Sequence, residues 1–144
     1  MADTIRQLLT DAAKARSAEV ALRHKQNGAW HEISYRELLE RTRCVSETVH
    51  KLGQPRCAHI AIFLDNEYRW PEIYLGIAAA AFTAVPVDAK LRVQEVAHIL
   101  RDSEAGVVFV SSRTYAVVKE AATQLPALKH VIVLDGEDLI SEQD

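Results

Sequence analysis

Glycine is scarce in this 144-residue chain, and no two of its five glycines stand close together in the sequence. Phosphate-binding loops of the GxGxxG and GxxxxGK[ST] types need several neighbouring glycines, because only then can backbone amides approach a phosphate group. The sequence therefore excludes both kinds of nucleotide loop. The G-x-S-x-G motif of serine hydrolases is absent as well. The glycines are Gly28, Gly53, Gly76, Gly106 and Gly136.

Cysteine is rarer still, with only Cys44 and Cys57. Two isolated cysteines form no disulfide framework, and no C-x-x-C or H-x-x-x-H spacing supports a zinc site. We therefore expect buried or chemically idle thiols. The histidines are scattered, so the sequence predicts no metal site and no catalytic residue in this chain. The histidines are His24, His31, His50, His59, His98 and His130.

An excess of basic charge and a long apolar run are also missing. The chain has 17 basic and 20 acidic residues and a net charge of -3. No Lys/Arg cluster stands out, which argues against a nucleic-acid partner. The longest apolar stretch, Ile73 to Val87, is shorter than the roughly 20 residues that a membrane span needs. We expect a soluble, cytoplasmic protein without a membrane span.

The first 53 residues carry three clear local signals. Asn27-Gly28 tolerates the positive φ of a tight hairpin turn between two short strand-like runs. Ser34 and Glu37 form a capping box that opens a helix, and Gly53 provides a left-handed stop. The predicted elements are an amphipathic helix capped by Asp3 or Thr4, strands at 19–24 and 29–33, and a helix from Tyr35 to about Leu52.

The rest of the chain alternates apolar strands with helices. Strands without polar alternation indicate a parallel sheet covered on both faces, with right-handed crossovers. The predicted fold class is thus a doubly wound α/β fold with a small N-terminal hairpin, in a single unit over residues 1–144. Residues 135–144 are expected to be a flexible tail without a further element. The predicted strands are 58–64, 84–87, 106–110 and 130–134, and the helices 67–82, 93–102 and 115–124.

Polar side chains follow three of the predicted strands, at the edge where doubly wound sheets bind ligands. They are Asp65, Asp88 and the pair Ser111-Ser112. Helix or turn capping also explains such residues, and it is our preferred interpretation for Asp65, Asp88 and Ser112. A phosphorylated-aspartate receiver domain has this general shape, but it needs a lysine after its last strand. Here the last strand ends in Leu134-Asp135, without that lysine.

The segment from Ile73 to Phe82 is a predicted helix with no charged residue on any face. A helix that is apolar all round is normally buried inside a large protein. We therefore expect this chain to belong to a larger protein. In isolation it should self-associate through this helix and an uncovered sheet edge.

Five stretches of this sequence form a specific pattern. They are Trp30-x-x-Ile33-Ser34-Tyr35-Arg36-Glu37-Leu38, His59 to Leu64 with Asn66, Tyr74 to Ile77, Val85 to Asp88, and Glu95 to Ala105 followed by Val107 to Ser111. In order and spacing they resemble the opening portion of the adenylate-forming acyl-CoA synthetases. The resemblance runs from about residue 5 to Val133 and is most specific after Glu95.

The resemblance implies that a complete enzyme joins a carboxylic acid to ATP with Mg²⁺, forming acyl-adenylate and pyrophosphate. It then passes the acyl group, from a long-chain fatty acid or a related acid, to coenzyme A. The family uses a later loop ending in Pro-Lys-Gly, further nucleotide motifs and a C-terminal lysine, and this chain has none of them. No catalytic, cofactor-binding or metal-binding residue is therefore carried over. The resemblance implies an inactive N-terminal part of a ligase, whose partner is the remainder of the polypeptide. The alternative is a stand-alone flavodoxin-like binding module.

Two residues depart from the family's pattern. Ala81 stands where the family usually has glycine, and Ala89 stands where it often has proline. A left-handed alanine costs roughly 1 to 2 kcal/mol. We therefore expect the helix to continue to Phe82 rather than to turn at Ala81, and we expect Asp88 to cap the turn that follows its strand.

Overall fold

The computed structural model describes residues 4–134 and the backbone of residues 140–143. Two compact units appear in it. The helical unit comprises Met1–Gly53 and Glu67–Ala81, and the sheet unit comprises Gln54–Asn66 and Phe82–Asp144. In chain order the elements are α1 (Ile5–Ala15), β1 (Val20–Gln26), β2 (Ala29–Ser34), α2 (Tyr35–Lys51), β3 (His59–Phe63), α3 (Arg69–Ala79), β4 (Thr83–Pro86), α4 (Val93–Asp102), β5 (Val107–Ser111), α5 (Ser112–Ala121), a 3-10 turn (Ala122–Gln124), β6 (His130–Leu134) and β7 (Ile140–Gln143).

The helical unit forms where its local signals predict. Asn27 and Gly28 adopt φ values of 51° and 82° and join β1 to its antiparallel partner β2. The capping box is complete, since Ser34 Oγ accepts a hydrogen bond from the Glu37 amide and Glu37 accepts one from the Ser34 amide. The hydrogen bonds that the Ser34 amide and then the Ser34 hydroxyl donate to the Glu37 carboxylate lower the pKa of Glu37. Gly53 ends α2 at φ 62°, as predicted.

The sheet unit confirms the predicted α/β class. Its strand order is β4-β3-β5-β6-β7, in which the first four strands are parallel and β7 is antiparallel to β6. Apolar residues of β3 and β5 pack with α4 and α5 in one core, where Phe63, Val96, Leu100 and Val118 are almost fully buried. Pro86 lies at the end of β4, the outer strand in this order, where a residue without an amide hydrogen is tolerated.

The prediction that the helix continues to Phe82 is wrong. α3 ends at Ala79, and Ala81 adopts φ 63°. The amide of Ala81 donates to the carbonyl of Ala78 at 3.1 Å, as at a left-handed helix end. The Arg6 guanidinium donates to the carbonyl of Ala79 through Nε at 3.0 Å and Nη2 at 2.6 Å. These bonds and the start of β4 at Thr83 favour a helix that ends at Ala79, although this end places Ala81 in a strained conformation.

The apolar helix is better covered than its sequence alone predicts. Ile73 is 2% exposed and Ile77 is fully buried within this chain, whereas Tyr74 is 38% exposed. The apolar character of this segment is therefore largely satisfied by the chain itself. The apolar sequence of this helix is therefore weaker support for a larger protein than we expected from the sequence.

The C-terminal prediction is partly wrong. Residues 140–143 form β7 and pair with β6, so a further element does follow the predicted last strand. Residues 135–139 and 144 of the predicted tail lie outside the described residues. α5 also begins earlier than expected, at Ser112 rather than Tyr115, because Ser111 caps it.

Candidate functional site

The carboxyl ends of β3, β4 and β5 lie side by side in the sheet unit, because β3 pairs in parallel with both neighbours. Asp65 follows β3, Asp88 follows β4, and Ser111 ends β5. The expected convergence of polar residues at one edge is thus present. We call these three strand ends, with the residues that follow them, the carboxyl edge.

Asp65 does not cap a helix, contrary to our preferred interpretation. Its carboxylate accepts two hydrogen bonds from Arg113, at 3.0 Å from Nε and 2.6 Å from Nη2. The same Nη2 donates to the carbonyl of Ala89 at 3.1 Å. The bond to Asp65 raises the pKa of Arg113, whose side chain stays about half exposed. A bidentate Arg-carboxylate pair fixes orientation as well as distance.

Asp88 caps a turn, as predicted. Its Oδ1 accepts a hydrogen bond from the Lys90 amide at 2.9 Å, and its carbonyl accepts one from the Leu91 amide at 3.1 Å. Residues 88–91 therefore form a β-turn that begins at aspartate, a residue favoured in this position. Ala89 occupies the second position of the turn.

Ser111, not Ser112, is the cap of α5. Its Oγ accepts from the Thr114 amide at 3.3 Å, and Thr114 Oγ1 accepts from the Ser111 amide at 2.9 Å. Thr114 is fully buried, and its hydroxyl donates a hydrogen bond to the carbonyl oxygen of Phe63 at 2.6 Å. Thr114 therefore connects the end of β3 to the start of α5.

The acidic residues and two of the glycines near these strands are engaged in contacts within the chain. Both oxygens of Asp65 bind Arg113, and Asp88 is engaged in its turn. Gly76 serves close helix packing, since a Cβ there would lie 2.5 Å from Val45 Cβ; at Gly106 a Cβ would collide with the Gln54 side chain. Within residues 4–134, no group of three or more His, Cys, Asp or Glu side chains could hold a metal ion.

The cysteines and histidines are not part of the carboxyl edge. Both cysteines are exposed, so of the two expected alternatives the buried one is wrong, and the chemically idle one stays a prediction. His24 stacks between His31 and Tyr68 in the helical unit, with ring centroids 5.3 and 4.2 Å apart. His59 Nδ1 lies 2.6 Å from the Ser103 carbonyl oxygen in the sheet unit.

One charged pair in the helical unit was not predicted. Glu72 lies in the first turn of α3 and is only 7% exposed, and its Oε1 accepts from Arg41 Nη1 of α2 at 3.1 Å. Burial raises the pKa of Glu72, and this effect outweighs the opposing influence of Arg41. The pair joins α2 to α3 near the close approach at Gly76.

No helix within the described part of the chain is both long and apolar enough to cross a membrane.

Comparison with known proteins defines the family. The model of the AMP-binding enzyme family matches residues 9–144, and the chain therefore belongs to that family. This confirms the resemblance seen in the sequence.

Three curated relatives are CoA ligases by name. The chain is 28% identical to a 4-hydroxybenzoate–CoA/benzoate–CoA ligase of Rhodopseudomonas palustris over 86% of its own length and 22% of that protein. It is 27% identical to a long-chain-fatty-acid–CoA ligase of Mycobacterium bovis, over 76% and 18% respectively. It is also 27% identical to a crotonobetaine/carnitine–CoA ligase of Salmonella paratyphi A, over 94% and 26%. The chain thus spans about a fifth to a quarter of these relatives.

Solved structures share the fold. An anthranilate CoA ligase in complex with anthranoyl-AMP aligns with a TM-score of 0.84 at 21% identity, over 91% of this chain and 25% of that one. The N-terminal domain of FACL13 from Mycobacterium tuberculosis aligns with a TM-score of 0.84 at 19% identity, over 92% and 33%.

Proposed function

We propose that this chain is the N-terminal part of an AMP-forming acid–thiol ligase. The complete enzyme would activate a carboxylic acid with ATP, release pyrophosphate and transfer the acyl group to coenzyme A. The observation that carries the proposal is the family match over residues 9–144. The relatives named above support it, because each is a CoA ligase although their acids differ.

The relatives indicate only a broad class of carboxylic acid as the substrate. Their names specify aromatic, long-chain fatty and carnitine-type acids, and the chain is about equally similar to all three relatives. We propose a long-chain fatty acid or a related carboxylic acid as the substrate. ATP, Mg²⁺ and coenzyme A would be required, and the cytoplasm supplies all three.

We further propose that the 144 residues alone do not catalyse acyl-adenylate formation. The carboxylates at the carboxyl edge are occupied by Arg113 and by the turn at Asp88. The described glycines lie in turns or in close packing, so they offer no cluster of free amides for phosphate. In the complete enzyme, these 144 residues would supply the sheet and the turns at its carboxyl edge.

A pyrophosphate-release assay tests this division. The purified 144-residue chain is incubated with ATP, Mg²⁺ and benzoate, a long-chain fatty acid or crotonobetaine. We expect release at the level of the protein-free blank with every acid. Acid-dependent release by the pure chain would contradict the proposed inactivity. The reading frame beyond codon 144 distinguishes a part of a ligase from a stand-alone binding module, because a stop codon there would favour the module.

A further inference from the structure

Arg113 connects three segments of the carboxyl edge. It starts from the first turn of α5, pairs with Asp65 after β3, and donates to the carbonyl of Ala89 after β4. Asp65 and Arg113 are 48 positions apart in sequence, and Ala89 and Arg113 are 24 apart. The bidentate pair fixes the plane of the guanidinium, so the direction of its third bond is fixed as well.

The turn at 88–91 is held at both ends, and its last residue, Leu91, packs against the core of the sheet unit. Asp88 anchors it through the amides of Lys90 and Leu91. Ala89 holds the second position, where proline is favoured because its ring fixes φ near the value that the turn requires. Alanine leaves that angle free. Proline would fix the φ angle of this residue, whereas the bond from Arg113 to the Ala89 carbonyl fixes the orientation of the peptide that follows it. Either one restrains the central part of the turn.

We propose that Arg113 is a positioning residue that holds the 88–91 turn in one orientation at the carboxyl edge. Ligands of doubly wound sheets bind at this edge. The consequence for catalysis rests on the proposed ligase function: in the complete enzyme, the restrained turn keeps the substrate-facing loops in their productive arrangement. Arg113 acts through Ala89 and is not itself a catalytic residue.

The first test measures amide exchange in the 144-residue chain. Arg113→Gln should raise the exchange rate of the Lys90 and Leu91 amides by about three- to fivefold, the upper part of the range for an exposed ion pair. Ala89→Pro should make the arginine redundant, so that Arg113→Gln in this background changes the Leu91 rate by less than about twofold. The matched control is Arg101→Gln, which removes an exposed arginine of α4 that has no side-chain partner in the described structure.

Two results would overturn this role. The first is an Arg113→Gln variant whose Lys90 and Leu91 amides exchange at the wild-type rate. The second is an equally large effect of Arg113→Gln with alanine and with proline at position 89.

The second test uses the protein encoded by the complete reading frame. Arg113→Gln should lower kcat/KM for acyl-adenylate formation by about tenfold, as expected when loops near the chemistry are misplaced. Ala89→Pro should restore most of the loss. An active wild type with unchanged kinetics in Arg113→Gln would refute the link to catalysis. An inactive wild type would refute the proposed function instead, and the exchange experiment would still decide the role of Arg113.

Discussion

Ala81 is the position where substitution should stabilise the chain. It adopts φ 63° at the end of α3, in the left-handed region that an alanine side chain disfavours by about 1 to 2 kcal/mol. Glycine removes this strain, but it also increases the conformational entropy of the unfolded chain. That second effect cancels about 0.4 to 1 kcal/mol of the gain in stability. Ala81→Gly should therefore raise the free energy of unfolding by about 0.5 to 1 kcal/mol. For a chain of this size, that corresponds to an increase in Tm of roughly 2 to 4 °C.

Urea unfolding followed by circular dichroism measures this difference, provided that the slope with denaturant is unchanged. Gly53→Ala is the matched control, because Gly53 ends α2 at φ 62° and a Cβ there would meet nothing within 4 Å. It isolates backbone strain and should destabilise by about 0.5 to 1 kcal/mol, the reverse of the change at Ala81. Our reasoning fails if Gly53→Ala destabilises as expected while Ala81→Gly leaves stability unchanged or lowers it.

Three further predictions follow from the helical unit. Gly76→Ala should destabilise by about 1 to 3 kcal/mol in urea unfolding, because the new Cβ would overlap Val45; Val45→Ala should restore part of the loss. The raised pKa of Glu72 means that the folded state binds the proton more tightly, so its contribution to stability should fall as pH rises above about 4.5. Glu72→Gln should flatten that profile, and a steeper one would contradict the assignment. The isolated chain should self-associate in light scattering, and Leu8→Ser, which alters a 56% exposed apolar residue, should reduce the association. A wild-type monomer at high concentration would contradict that expectation.

Features determined by adjacent residues could be predicted from the sequence. The Asn27-Gly28 hairpin, the capping box at Ser34 and the glycine stop at Gly53 each depend on residues that are close in the chain. Runs of apolar residues likewise predicted β3 and β6. In these cases the local chemistry and the packing favour the same structure.

Features that depend on distant residues were missed. The early end of α3 requires a strained Ala81, and the chain supplies Arg6 from α1 to bind the helix end. The role of Asp65 as an ion-pair partner depends on Arg113, which lies 48 positions away in the chain, and no residue near Asp65 predicts that contact. The burial of Glu72 depends on the contact between α2 and α3. No local pattern encodes these contacts.

Exchange of labelled pyrophosphate into ATP tests the central claim most directly. It is measured on the protein of the complete reading frame and on the 144-residue chain, each with and without carboxylic acids of the three classes. The account predicts acid-dependent exchange for the complete protein and none for the chain alone. A folded complete protein that shows no exchange with any acid would contradict the proposed adenylate-forming activity.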